Sequence, residues 1–242
     1  MDDLPSFVTC PHTVRAVDFG HALVLIDYRT GSVQALQPPA TDQWNAISHT
    51  GALEGIAPAL ASRLLALGVL TPTSGPNPWT PALRASSAQA SWGSTEHLAG
   101  ITRPPRAPLT GTLAAAAALT VAFAATRHHR TGMQNTITLL SATCARTVRP
   151  ATLQQATTAV NAVRRAGWYS PGRTACLEES VAVVLLLRTR RLGVRWCHGI
   201  ASDPIRLHAW VQTMDGDDVA EPSSTRAYTP VLTIGDRHHQ PR

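Results

Sequence analysis

Short apolar runs separated by turn residues mark the first part of the chain, a pattern typical of strands in a small sheet. Three segments rich in β-branched and apolar residues predict strands: Val14 to Val17, Leu23 to Tyr28 and Ser32 to Leu36. Gly31 supplies the positive φ that a turn after the second strand requires. We therefore expect a three-stranded sheet near the start of the chain.

Helical spacing replaces the strand pattern after two consecutive prolines. Thr41 is the predicted N-cap of a first helix. Gly51 and Gly55 bound a short second helix, and Pro58 fits the first turn of a third. Three strands followed by three short helices predict a winged-helix-like domain over residues 1–72.

The composition changes over residues 73–110, which are rich in proline, serine, threonine and alanine and poor in aliphatic residues. Such a segment buries too little apolar surface to offset the entropy of ordering it. We interpret it as a linker, within which Trp79 and Trp92 are the residues best suited to pack against a domain.

The apolar pattern becomes helical again from residue 111 and later changes to strands. Four helices are predicted, over residues 113–125, 136–147, 152–166 and 176–191. Two strands are predicted to follow, over residues 194–200 and 206–213, with a third beginning at Val219. This order of elements indicates an α+β fold, with residues 111–242 as a second domain.

Charge and length narrow the classes of partner. The formal net charge of +6 favours acidic partners such as nucleic acid, lipid or an acidic peptide. The arginines occur in small groups such as Arg164-Arg165 rather than in one dense run, so nucleic-acid binding is not favoured. The alanine-rich stretch from Gly111 to Ala125 has about 15 residues, short of the roughly 20 that cross a bilayer. We interpret it as a buried helix, with peripheral membrane contact as the alternative.

The cysteine pattern predicts free thiols and no metal. The four cysteines are Cys10, Cys144, Cys176 and Cys197, and their spacings fit no common zinc template. The alternative is a metal site with the ligands Cys176, Cys197, His198 and His208. Such a site needs three or four converging side chains, and the sequence spacing does not predict that these converge. The opening residues are acidic and lack the apolar run of a signal peptide, so we expect a cytoplasmic location. No glycine-rich phosphate loop is present, so no nucleotide cofactor is expected.

Cys176 and His208 are the strongest candidates for chemistry. Cys176 opens an apolar helix, where the unpaired N–H groups and the helix dipole favour a thiolate nucleophile. His208 lies in a predicted strand whose alternation puts it on one face with Trp210 and Gln212. An imidazole can accept the thiol proton near neutral pH. The alternative for both residues is an ordinary place in the core.

A third group should orient the imidazole. The acids that follow the strand are Asp215, Asp217, Asp218 and Glu221. The order of a nucleophile on a helix, then a base on a strand, then an acid is typical of papain-like and transglutaminase-like folds. We therefore expect a papain- or transglutaminase-like cysteine protease domain.

These residues carry a resemblance to a known family. Three segments resemble the leader peptidases of lasso-peptide biosynthesis: CLEESVAVVLLLRTRRLGV, HGIASDPIRLHAWVQ and DGDDVAE. These peptidases belong to the transglutaminase-like cysteine protease superfamily. The matching positions are Cys176, Leu177, Ser180, Gly193, His208, Ala209, Trp210 and Val211. Departures occur at Glu179, where the family often has a basic residue, at Gln212, where it has Glu, and at the extra residue Met214. Alignment on Gly216 puts Glu221 nearest the position of the third catalytic residue, with Asp218 the runner-up.

The first domain resembles the RiPP recognition element, the small winged-helix domain that binds leader peptides in this pathway. The resemblance implies that a precursor leader adds as a strand to the sheet edge. The candidate binding residues are Ser32, Val33, Gln34, Ala35 and Leu36 on the edge, with Arg63 and Leu64 on the helix behind it. It also implies a partner, the ATP-dependent, asparagine-synthetase-like lasso cyclase.

The resemblance implies a cysteine peptidase that removes the leader before macrolactam closure. An acyltransferase of the same fold is the first alternative, because the sequence does not reveal whether water or an amine accepts the acyl group. A non-catalytic peptide-binding scaffold is the second.

Overall fold

The computed structural model describes residues 4–85, 109–127, 131–145, 149–170, 174–202 and 204–235. The chain divides into two compact units, Met1–Ala88 and Gln89–Arg242. Each unit is built around its own apolar core.

The first unit combines a small sheet with two helices. Its strands are β1 (Phe7–Thr9), β2 (Val14–Asp18), β3 (Leu23–Asp27), β4 (Ser32–Leu36), β5 (Thr71–Thr73) and β6 (Leu83–Arg84), and its helices are α1 (Ala40–Thr50) and α2 (Pro58–Ala66). The main sheet has the order β4-β3-β2-β6, and β1 pairs separately with β5. Because β3 lies in the middle of this sheet, all five of its residues are buried. Trp44 and Ile47 of α1 and Leu64 of α2 fill the core.

The three predicted strands are confirmed, but two details of the predicted helices are wrong. Thr41 lies inside α1 and donates its hydroxyl to the carbonyl of Leu36 at 3.1 Å, so it is not an N-cap. The second helix is absent from the described residues, because Gly51 adopts a left-handed φ of 70° and ends α1. The winged-helix assignment stays a prediction.

Residues assigned to the linker contribute to the first unit. Strand β6 pairs with β2, and the ring of Trp79 packs edge-on against Trp44 with centroids 5.5 Å apart. Apolar contact of this kind orders a segment whose composition predicts disorder. The rest of the predicted linker, with Trp92, lies outside the described residues.

The described residues of the second unit form four helices and a three-stranded sheet. The helices are α3 (Leu109–Thr126), α4 (Gly132–Cys144), α5 (Leu153–Trp168) and α6 (Cys176–Thr189). The strands are β7 (Arg149–Pro150), β8 (Leu192–Gly193), β9 (Arg195–Ser202), β10 (Ile205–Gln212) and β11 (Thr229–Ile234). Each predicted helix has its counterpart, and in the described ranges no helix has the length and apolar character needed to cross a membrane.

The sheet order β10-β9-β11 makes β10 an outer strand. The predicted third strand at Val219 is wrong in extent: the N–H of Val219 bonds to the carbonyl of Val211 at 3.1 Å, but no strand continues from it. Ala220 adopts a positive φ of 54°, which interrupts extended backbone. A 3₁₀ helix over Ser223–Ala227 follows, and β11 then pairs with the far side of β9.

Gly199 is predicted to be essential for this sheet. A Cβ there would lie 2.7 Å from the carbonyl oxygen of Thr229 and 2.8 Å from the ring of Trp210. Gly199→Ala should therefore lower the free energy of unfolding by about 1–3 kcal/mol through overpacking. Urea unfolding followed by tryptophan fluorescence measures the change.

Gly111→Ala, in the open first turns of α3, is the matched control, since its added Cβ meets nothing within 4 Å. Alanine is the better helix former, so this variant should be as stable as the parent or more so. Equal unfolding midpoints for the Gly199 variant and the parent would contradict the packing argument.

Candidate active site

Cys176 is the first residue of α6. The preceding residue, Ala175, has extended backbone with φ −95° and ψ 167°, and Glu178 accepts a hydrogen bond from its N–H at 3.2 Å. This contact begins the helix at Cys176. The sulfur therefore lies at the positive end of the helix dipole.

His208 lies on β10, and its ring is held between aromatic neighbours. It stacks on Trp210, two residues along the strand, with ring centroids 5.6 Å apart and an interplanar angle of 9°. Tyr228 contacts the ring at a centroid distance of 5.1 Å. Ala209 and Val211 belong to the apolar core, as the alternation predicts, but Leu207 of the same predicted face is 39% exposed.

Glu221 is the acid beside His208. Its Oε2 lies 2.8 Å from Nε2 of the imidazole and also accepts the hydroxyl of Thr225 at 3.1 Å. The other oxygen, Oε1, accepts from Nη2 of Arg164 at 3.0 Å. The carboxylate is only 8% exposed, so these partners replace most of its contact with water.

Asp218, the runner-up, has other partners. Its Oδ1 accepts from Nε1 of Trp210 at 2.8 Å and from Nε2 of Gln212 at 2.9 Å. It therefore supports the tryptophan on which His208 stacks, whereas Glu221 contacts the imidazole itself. Asp215 and Asp217 are exposed.

Cys176 and His208 share a side-chain hydrogen bond. Burial by itself raises the pKa of the Cys176 thiol, but the bond to His208, the backbone N–H of Ala209 and the imidazolium charge together bring that pKa below its ordinary value of 9.0. Burial lowers the pKa of His208, yet its bonds to Cys176 and Glu221 outweigh burial and raise the pKa to about 9. The lowered thiol pKa and the raised imidazole pKa both shift the balance towards a thiolate–imidazolium pair.

A small cavity of about 130 Å³ adjoins this array. Val160, Val163 and Val183 form part of its apolar lining, and Cys176 and His208 contribute polar atoms. A cavity beside a thiolate is a place where part of an acyl substrate can bind.

The sequence model of the transglutaminase-like superfamily matches residues 117–233. These residues form a transglutaminase-like domain. The match includes Cys176, His208 and Glu221, and it supports a thiol-enzyme site of the cysteine-protease or acyltransferase kind. No curated protein and no solved structure matches the chain.

The residues of the alternative metal site have other partners in the transglutaminase-like domain. Cys197 donates to Oε1 of Gln212 at 3.3 Å. His198 is buried, and burial together with the charge of His208 lowers its pKa to about 4. Among the described residues, no group of three metal-binding side chains is present.

The candidate leader-binding residues belong to the first unit and differ in exposure. β4 is an outer strand, with Ala35 exposed and Ser32, Val33 and Gln34 partly so. Arg63 is exposed, but Leu64 is only 1% exposed and Leu36 only 9%, because both fill the core. The buried pair therefore shapes the unit and does not offer side chains to a bound strand.

Three site residues were not predicted from the sequence. Arg164 was noted only as half of a basic pair, and Thr225 and Tyr228 were not singled out. Helical spacing on α5 could have suggested that Arg164 lies beside the buried face of the helix, because it follows the buried Val160 by one turn. The sequence carries no comparable signal for Thr225, since the turn at Ala220 decides its position.

The thiolate can be tested without a substrate. Iodoacetamide reacts with the thiolate, so it should still alkylate Cys176 below pH 9.0, the ordinary thiol pKa. The rate should fall only when the pH drops through the lowered pKa of Cys176. In His208→Ala, burial dominates and raises the thiol pKa, so the rate near neutral pH should fall more than about tenfold. Peptide mapping by mass spectrometry measures the rate.

Cys10 is the internal control for this experiment. Burial raises its pKa to about 12, so it should react slowly in both proteins. Alkylation of Cys176 at the parent rate in His208→Ala would contradict the ion pair.

Proposed function

We propose that this protein is a cysteine peptidase that cleaves the leader from a lasso-peptide precursor. The observation that carries the proposal is the continuous array of Cys176, His208 and Glu221 at the start of α6. The sequence resemblance of the HAWV and CLEES segments to lasso leader peptidases supports the substrate class.

The chemistry begins at the sulfur. The Cys176 thiolate attacks the scissile carbonyl carbon and forms a carbon–sulfur bond, while the carbonyl electrons move to oxygen. The N–H of Cys176 lies in the first turn of α6, where it has no intrahelical acceptor, and is suited to stabilise this oxyanion. His208 donates its proton to the leaving amine, the carbon–nitrogen bond breaks and a thioester remains.

Water then completes the reaction. His208 takes a proton from water as the oxygen attacks the thioester, the carbon–sulfur bond breaks, and a carboxylic acid leaves and loses its proton to the solvent. The thiolate and imidazolium re-form when the sulfur departs. Throughout this cycle Glu221 holds Nε2 of the imidazole, which keeps the other ring nitrogen directed at the sulfur.

The first unit is proposed to bind the leader. An extended leader would pair with the outer edge of β4, and the exposed Arg63 would contact its acidic residues. Joining recognition and cleavage in one chain raises the effective substrate concentration, to the order of mM. The ATP-dependent cyclase is the proposed partner that closes the macrolactam after cleavage.

Precursor cleavage tests this function directly. The full-length protein, incubated with small precursor peptides encoded beside its gene, should release a leader and a core whose masses sum to the precursor plus one water. Cys176→Ala should abolish release, and Glu221→Gln should slow it about 100-fold or more by loosening the base. Liquid chromatography with mass spectrometry follows both products.

Cys144→Ala removes a thiol elsewhere in the same domain and should cleave at the parent rate. Cleavage by Cys176→Ala at that rate would overturn the peptidase and leave the non-catalytic scaffold as the better function.

Acyl transfer is the second candidate function, because the matched superfamily accommodates either acceptor. p-Nitrophenyl acetate should acetylate Cys176, and the fate of the acetyl group then reports the acceptor. A peptidase should yield acetate even with added n-butylamine. N-butylacetamide as the main product would favour the transferase.

A further inference from the structure

We propose that Arg164 is a positioning residue that holds Glu221 against His208 and ties it to the loop before Cys176. The inference rests on the proposed function for its consequences in catalysis. It assigns a role to a residue outside the Cys176–His208–Glu221 array.

Arg164 donates hydrogen bonds to both Ala220 and Glu221, the two residues that we call the acid segment. Its Nη2 donates to Oε1 of Glu221 at 3.0 Å, and its Nη1 donates to the carbonyl of Ala220 at 2.8 Å. A guanidinium can donate to two acceptors in one fixed geometry, which the ammonium of a lysine cannot reproduce. The side chain and the backbone of the acid segment are therefore held together.

The hydrogen bond from Arg164 limits the rotation of the Glu221 carboxylate. Oε2 of Glu221 is bonded to His208 and Thr225, and Oε1 is bonded to Arg164. Glutamate has three rotatable side-chain bonds, and a carboxylate held at one oxygen only can turn away from the imidazole. With both oxygens occupied, the short contact to Nε2 is the preferred arrangement.

The backbone before Glu221 also requires support. Ala220 has a φ of 54°, in the left-handed region that is unfavourable for a residue with a Cβ. The bond from Arg164 to the Ala220 carbonyl offsets part of that cost. Residues in such conformations persist when their surroundings hold them in several ways.

The guanidinium of Arg164 also contacts a residue of α6, the helix that begins at Cys176. Nε of Arg164 lies 3.6 Å from Oε2 of Glu179, and Oε1 of Glu179 accepts the hydroxyl of Thr174 at 2.7 Å. Thr174 precedes Cys176 by two residues. Glu179 and Arg164 therefore connect Thr174, in the loop before Cys176, to Glu221. Glu221 in turn contacts His208, which contacts Cys176.

The pH profile of Cys176 alkylation by iodoacetamide tests the inference. Glu221 raises the pKa of His208, and Arg164 contacts Glu221 itself. Arg164→Met should therefore shift the alkylation profile in the same direction as Glu221→Gln, towards higher pH. Turnover of p-nitrophenyl acetate should fall on the order of 100-fold in kcat, with KM little changed.

A double variant separates positioning from general stability. If Arg164 acts through Glu221, Arg164→Met combined with Glu221→Gln should alkylate no more slowly than Glu221→Gln alone. Arg165→Met is the matched control: it removes the same charge from the next residue, whose guanidinium lies 5.2 Å from the Tyr169 ring centroid. It should keep the parent profile.

Arg164→Lys keeps a cation but cannot serve both acceptors, so it should give an intermediate shift and also serves if the methionine variant does not fold. A parent-like profile in either Arg164 variant, or additive effects in the double variant, would overturn the proposal. Because alkylation needs no peptide, failure of precursor cleavage alone would count against the proposed function and not against this role.

Discussion

The hydrogen bond between His208 and Glu221 is the interaction on which the rest of the site depends. It selects which imidazole nitrogen faces the sulfur, and it supplies the negative charge that keeps the imidazole protonated. Without that charge, a half-buried thiol beside a half-buried histidine would favour two neutral groups. The aromatic rings of Trp210 and Tyr228 then limit how the imidazole can turn.

The fold brings these groups together by packing α6 against the sheet. The apolar side chains along α6 are buried in the core, and Nε1 of Trp196 donates to the hydroxyl of Ser180 at 2.9 Å. The first turn of the helix therefore has a fixed position relative to β10. Rigid elements of this kind hold reactive atoms more accurately than loops do.

Much of the second unit was predictable from the sequence, because periodicity and capping signals agree there. Thr152 and Gln155 form the capping box that begins α5, and the apolar run after His208 forms the buried end of β10. The prediction at Val219 was wrong because the positive φ of Ala220 is decided by tertiary contacts, which no local pattern reports. For the same reason, the sequence proposed Glu221 by alignment but could not reveal that Asp218 supports Trp210. In the first unit, the burial of Trp79 against Trp44 overrides a composition that favours disorder.

His198 gives the second unit an intrinsic sensitivity to acid. Its folded pKa of about 4 lies below the ordinary 6.5, so the unfolded chain binds its proton more readily. The stability that the neutral ring provides is complete above pH 6.5 and is lost as the pH falls through about 4. By linkage this loss amounts to about 3 kcal/mol, a large share of the stability of a typical domain. The buried imidazole on β9 thus makes the second unit less stable in acid, independently of the titration of Cys176.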